Sequence, residues 1–230
     1  MKENWLTQKP RYSGIFAVFI LTFVLFTIAI LEATQIYPIY ETLKASRTLV
    51  FLDHHYLRLW TSLFVHADSG HLFSNLLIFI PLVYLTASYF GSIALPFFAI
   101  LLGGMVNAVV LQTLPPSVSL IGISGVVNFL GAVWLMLFFL IDRRESFRRR
   151  FAVVLFISFM LFVPDTYKPE VSYLSHFVGY ICGIIFAVVF YFVRRKQFQS
   201  AEVFETIEEV DLELTALPLQ HDPHEKTIVH

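Results

Sequence analysis

Charge is scarce in this chain. Asp, Glu, Lys and Arg make up 14% of its 230 residues, against about 25% in a soluble domain. Neither Asp nor Glu occurs in the apolar runs 71–90, 93–111, 122–141, 151–163 and 172–193, so no carboxylate is available within any of them. Cysteine is nearly absent as well. Cys182 stands alone, which rules out an intrachain disulfide, and its place in an apolar run leaves the redox compartment open. There is no His-Glu-x-x-His, no second histidine box, no internal repeat and no low-complexity tract. The net charge of -1 comes with no basic face of the kind nucleic acid requires, so no nucleic-acid partner is expected.

What is abundant is hydrocarbon. Apolar residues are 57% of the chain, 25 residues are Phe, and the mean hydropathy is +0.71, a composition that places the chain in a lipid bilayer. The runs 13–31, 71–90, 93–111, 122–141 and 172–193 are each long enough to cross about 30 Å of hydrocarbon as a helix. The run 151–163 is short. At about 1.5 Å per residue it spans roughly 20 Å, and it crosses only where the bilayer thins or the preceding arginines snorkel.

Charge argues that it does cross. With six crossings, Lys2, Lys9, Arg11, Arg143, Arg144, Arg148, Arg149, Arg150, Arg194, Arg195 and Lys196 share one side, eleven of the 16 basic residues, as the positive-inside rule requires. With five, the last cluster is stranded on the other side. The expectation is therefore an all-α, multi-pass integral membrane protein with both termini cytoplasmic. It divides into a cytoplasmic N-terminus (1–12), a six-helix membrane domain (13–196) and an acidic tail (197–230). The first run is not read as a cleaved signal peptide, since it is long and no small-residue cleavage site follows it before Glu32. Outside would lie a loop over 32–70, a link near Pro115 and Pro116, and a turn at 164–171. In the loop, Tyr56, Leu57, Leu59, Trp60, Leu63 and Phe64 have the composition of an element lying in the membrane interface.

In this topology the second, fourth and sixth helices all start at the outer face. Ser124 lies at the start of the run 122–141, and Asn75 and His176 lie in the first turn or so of theirs, so the three share one shallow layer. His71 and Asn75, four residues apart, share a helix face. A serine hydroxyl is a weak nucleophile until a base takes its proton, so Ser124 and His176 form a candidate pair, with His71 and Asn75 as donors beside it. For a lone Gly-x-Ser-Gly, a serine bonded to its own backbone is the ordinary explanation. Polar groups delivered to one depth by three helices are expensive in a membrane and point instead to function. Gly179 and Gly183 form a Gly-x-x-x-Gly, a close-packing signal that would bring the sixth helix onto the fourth.

These residues carry a resemblance to the rhomboid family of intramembrane serine proteases, over about 13–193. Arg58, Thr61, Phe64 and His66 match its Arg-x-x-Thr-x-x-Phe-x-His, and His71 and Asn75 its His-x-x-x-Asn. Gly122, Ser124, Gly125 and Gly131 match its serine motif, and His176, Gly179 and Gly183 its histidine followed by glycines. The resemblance implies a six-transmembrane-helix rhomboid-like bundle with an interfacial outer loop between helices 1 and 2. It implies a Ser124–His176 dyad with no aspartate, cofactor or metal, and an oxyanion held by His71, Asn75, Gly122 and the Ser124 amide. Gly125, Gly131, Gly179 and Gly183 would pack helices near the site, and Arg58, Thr61 and His66 would be structural in the loop. The expected substrates are single-pass transmembrane proteins, cut near their outer end after a small residue, in a bacterial or archaeal cell membrane.

The chain departs from the family pattern at Leu57, Val178 and Asn128, the last standing where many rhomboids place a tyrosine. Asn128 is one turn below Ser124. Its amide oxygen is expected to accept the far N–H of His176 and orient the ring, the alternative being a bond to a neighbouring helix or water. Two other functions stay open: a weak or inactive rhomboid-like protein that binds transmembrane segments and steers their trafficking, and a metal-dependent enzyme using His54, His55, His66, Asp68 and His71. The tail, with eight acidic residues and Lys226 alone as a lysine, reads as disordered apart from a short helix near 203–214, and as a site for a cytoplasmic partner.

Overall fold

The structure, a computed structural model, describes residues 1–91, 94–162 and 172–205. Its helices are α1 (Ser13–Ala33), α2 (Ile39–Leu43), α3 (Arg58–Thr61), α4 (Ser69–Phe90), α5 (Ala94–Thr113), α6 (Ser124–Ile141), α7 (Phe147–Phe162) and α8 (Tyr173–Gln199). Five of them, α1, α4, α5, α6 and α8, are long and apolar enough to cross a membrane, so the chain is a multi-pass membrane protein. Helices form here because a backbone in hydrocarbon must satisfy its hydrogen bonds internally. Polar residues then mark the ends. Asp68 caps α4 by accepting from the His71 N–H at 2.8 Å, and Gly91, at φ 91, closes it in the left-handed conformation.

The core is built around α6, which is buried along nearly its whole length and packs against α4, α5, α7 and above all α8. Helix α1 lies outside α4. Phe16, Phe19 and Phe23 of α1 and Phe192 and Val193 of α8 are exposed, the faces that lipid covers. Helix α7 begins four residues before the apolar run, at Phe147, and its 16 residues reach roughly 24 Å. It runs antiparallel to α6. Leu161 arrives at Gly131, where a β-carbon would sit 2.9 Å from Leu161 Cδ1. The expected turn at 164–171 lies outside the described residues, as does Ser92 of the short link after α4.

The loop between α1 and α4 is clamped onto the segment that leads into α6. A two-residue strand β1 (Ala45–Ser46) pairs antiparallel with β2 (Ser119–Leu120), and the Gly122 N–H donates to the Ser62 carbonyl at 2.9 Å. Arg58 donates to the Glu41 and Lys44 carbonyls and Thr61 to that of Leu43. Together they satisfy the carbonyls at the end of α2, which turns the chain into β1. Trp60 packs on Gly104 of α5 and donates to the Leu101 carbonyl. Leu59 and Leu63 point inward, whereas Tyr56 and Leu57 are exposed, Leu57 by 77%.

The end of the bundle remote from Ser124 is closed by a clasp that the sequence did not reveal. Asn4 is wholly buried (0% exposed). Its amide donates to Asp142 Oδ1 at 2.8 Å, just past α6, while its own oxygen accepts the Leu6 N–H. Arg144 holds the same carboxylate at 2.7 and 2.8 Å. The Arg144 guanidinium, and more weakly Asn4, keep the Asp142 carboxyl below the usual carboxylate range against the opposing effect of burial. Trp5 donates to the Tyr89 carbonyl and meets Phe198 edge to face at 5.5 Å. The N-terminal segment then pairs with the segment after α8: Lys2 and Glu3 donate to the Val203 carbonyl and Val203 to that of Glu3, and Arg143 bonds Glu202.

Helix α8 runs past the expected boundary at 196, to Gln199. Residues 197–205, expected in a disordered tail, are tied to the bundle because Phe198 is buried among the rings of Trp5, Phe90, Phe190 and Tyr191. The expected helix near 203–214 is not formed over 203–205, and 206–214 lie outside the described residues. Asn4→Ala would remove one donor from the buried Asp142 carboxylate and leave the Leu6 N–H without its acceptor. We expect it to reduce stability by about 1–3 kcal/mol, seen as earlier thermal unfolding in detergent. An unchanged melting curve would mean that the arm is not docked.

Candidate active site

Helix α6 begins at Ser124 itself. The turn before it needs Gly122 at φ 93, a left-handed conformation that favours glycine. The same residue leaves room for a neighbour: a β-carbon at Gly122 would lie 3.1 Å from His71 Cε1. Ile123 offers no capping side chain. The Ser124 and Gly125 N–H groups therefore open α6 with no hydrogen-bond partner among the described residues, at the positive end of the helix dipole. Gly122 does not add to them. Its own N–H is committed to Ser62, and its missing side chain leaves the space that His71 occupies.

Helix α8 is pressed against this turn. A β-carbon at Gly179 would stand 2.4 Å from the Gly125 carbonyl oxygen, and one at Gly183 the same distance from that of Phe129. Any side chain larger than hydrogen would force the helices apart. Gly125 in turn faces Ser175, the residue before His176. His176 is half-buried, has Tyr173 edge-on at 6.0 Å, and lies within electrostatic range of His71. The structure thus brings Ser124, Gly122, Gly125 and His71 together around one small cavity, against the turn of α8 that bears His176. The Ser124–His176 hydrogen bond is not made: His176 Nε2 is buried without a partner. Catalytic hydrogen bonds of this kind are commonly long in a free enzyme and tighten when substrate binds.

Asn75 and Asn128 sit differently from expectation. Each amide N–H bonds back to its own helix, Asn75 to the His71 carbonyl at 3.2 Å and Asn128 to the Ser124 carbonyl at 3.0 Å. Asn75 is not among the cavity's lining residues. Asn128 Oδ1 is buried and accepts from nothing, so the expected bond to His176 is not formed, nor is one to another helix. His66 packs its ring edge-on to His71 at 5.2 Å, buttressing it from the loop. The candidate metal ligands do not converge: among the described residues, no three or more of His, Cys, Asp and Glu are grouped to hold an ion.

Sequence reasoning passed over several residues of the cavity. Asn107 of α5, Ser119, Ser172 and Ser175 all line it. Asn107 is buried and donates to the Leu59 carbonyl at 3.0 Å and to Ser62 Oγ at 3.3 Å, tying α5 to the loop. A lone amide in the apolar run 93–111 was the available signal. The serines gave none, since small hydroxyls are ordinary in membrane helices.

Compared with known protein families, residues 53–193, more than half of the chain, match the rhomboid domain. No curated protein and no solved structure matches the chain.

His66 lies outside the spans and is 6% exposed. Burial first, then neighbouring His71, push its pKa from 6.5 down to about 4, against the pull of the Phe64 carbonyl and Asp68. As pH falls below 6.5, the unfolded chain takes up a proton that the folded chain refuses until about pH 4, so stability is lost across that window. Thermal scans in detergent should therefore fall less steeply with acidification for His66→Gln than for the wild type. Parallel curves would show that His66 titrates alike in both states.

Proposed function

We infer that this chain, which belongs to the rhomboid family, is an intramembrane serine endopeptidase that cuts transmembrane segments of other membrane proteins near their outer end. The observation that carries the inference is the cavity shared by Ser124, Gly122 and His71, with the His176 turn held against it by backbone contact between Gly179 and Gly125. In the reaction, Ser124 Oγ attacks the peptide carbonyl as His176 takes its proton. The tetrahedral intermediate then expels the amine, which receives that proton. Water repeats the sequence on the acyl-enzyme with His176 again as base. The Ser124 and Gly125 N–H groups and the His71 ring are the donors for the oxyanion, and Asn75 acts through the His71 turn. Losing one such donor typically raises the barrier by about 2.7–4 kcal/mol.

We further read the bundle as crossing six times, with both termini inside. Parity supports this. Lys2 and Glu3 bond Val203 directly, so the number of crossings between them is even, which five cannot satisfy. The sixth crossing falls to α7, whose Leu161 reaches the level of Gly131 and whose first turn carries Arg148, Arg149 and Arg150, side chains that snorkel to the inner face. The exposed Tyr56 and Leu57 of the outer loop fit the membrane interface.

Ser124→Ala and His176→Ala should each abolish cleavage of a transmembrane substrate carrying helix-breaking residues, while the protein still folds in detergent. Cleavage at the wild-type rate in either variant would end this reading. A wild-type protein that retains such segments without cutting them would favour the non-catalytic alternative. His71→Ala should lower turnover by about a hundredfold or more with little change in KM, because an oxyanion donor acts in the transition state, whereas a change confined to KM would reassign it to binding. Gly179→Ala should cut turnover at least about tenfold in folded enzyme, since displacing the histidine by a fraction of an ångström misaligns the pair. Full activity there would show that the glycine contact does not set the dyad.

A further inference from the structure

The cavity beside Ser124 carries hydrogen-bonding capacity that the reaction does not use. Ser172, which caps α8, and Ser175, in its first turn against Gly125, both line it. Ser172 caps α8 by accepting the Ser175 N–H at 3.3 Å, and it also accepts the Ser175 hydroxyl at 2.9 Å. Those two bonds fill both lone pairs of Ser172 Oγ. Its own hydrogen is left over, with no acceptor among the described residues. Across the cavity, Asn107 has committed its N–H groups to Leu59 and Ser62, which leaves Oδ1 as its remaining acceptor. The cavity thus pairs one spare donor with one spare acceptor, in about 20 Å³ of water-accessible space, room for about one water molecule.

A group that both donates and accepts, with the bulk of one water, is a hydroxyl. The substrate side chain nearest Ser124 Oγ is the one attached beside the carbonyl under attack, so it is the side chain that enters this space. Resting on the protease reading above, we propose that Ser172, with Asn107, forms a hydroxyl-recognition pocket that makes the enzyme prefer serine over alanine at the residue whose carbonyl is attacked. Alanine would enter as readily but would leave the Ser172 hydrogen and the Asn107 oxygen unpaired. Larger side chains would not fit without opening the cavity.

The test uses the full-length enzyme in detergent or bilayers and two transmembrane substrates that differ only by serine or alanine at the cleaved position. Wild type should favour serine by about fivefold to tenfold in kcat/KM, the worth of one net hydrogen bond. Ser172→Ala should bring the ratio to about one, and Ser172→Thr, which keeps the hydroxyl, should retain most of it. Because the ratio is taken within each enzyme, it does not depend on how much of a variant is folded. Should loss of the cap prevent Ser172→Ala from folding, Ser172→Gly removes the hydroxyl at a capping position where glycine is well tolerated. Ser124-dependent cleavage with no serine preference in wild type, or an undiminished preference in Ser172→Ala or Ser172→Gly, overturns the pocket and leaves the protease reading intact. No cleavage of either substrate, or cleavage that survives Ser124→Ala, overturns both.

Discussion

Everything around Ser124 depends on how closely α6 and α8 can approach. In hydrocarbon there is no hydrophobic force between helices, because lipid tails are as apolar as the side chains they would replace, so association rests on packing and polar contacts. Gly179 and Gly183 remove the side chains that would hold the backbones apart, and their positions against the Gly125 and Phe129 carbonyls leave no room for a β-carbon. The two glycines lie on one face of α8, one turn apart, and Ser175, one turn further along that face, with the capping Ser172 beyond it, carries the contact to the cavity. His176 is adjacent to this seam, so its distance from Ser124 is set by backbone on backbone. Backbone contact of that kind is less forgiving than side-chain packing, which can shift between rotamers.

The same end of the molecule is where hydrogen-bonding capacity goes unspent. Six buried side-chain polar atoms among the described residues have no partner, and three of them, on His66, Asn128 and His176, belong to the layer around Ser124. The Ser124 and Gly125 N–H groups and the Ser172 hydroxyl add to the tally. A buried polar group left unpaired is destabilising, and native structures keep such groups few. Their concentration at one place is what a site looks like when its ligand is the missing partner. The inner end is the contrast: there Asn4, Asp142, Arg144 and Trp5 satisfy one another and the backbone.

The division between what was legible in the sequence and what was not follows the range of the interactions. Spans were readable because a bilayer imposes length and apolarity on each helix separately, and Ser124, His71 and the glycine stripe were readable because their positions along a helix give depth and face. Contacts made between segments distant in the chain had no such signature. Asn4 meets Asp142, and Lys2 meets Val203, across nearly the whole sequence, and nothing in either local pattern announces it. The segment after 196 shows the same: its composition is acidic, but Phe198 and Glu202 are recruited by partners that the composition does not show. The commitment of the Gly122 N–H to Ser62, and of the Asn75 and Asn128 amides to their own helices, is likewise a matter of local geometry that residue type leaves open.

Asn128 lies one turn below Ser124 on α6. Its amide N–H returns to the Ser124 carbonyl, which fixes the side chain on the first turn of α6 and leaves Oδ1 buried with no donor. His176 Nε2, also buried, has no partner either. A ring nitrogen that is to take the Ser124 proton must be free of other donors, because an acceptor already engaged cannot act as base. With no carboxylate in the spans to fix the tautomer, the proposed reaction needs Nε2 free as base and the other ring nitrogen held by an acceptor, the part expected of Asn128 Oδ1, and that bond is not made. The Asn128 donor, turned onto the Ser124 carbonyl of its own helix, competes for neither ring nitrogen of His176.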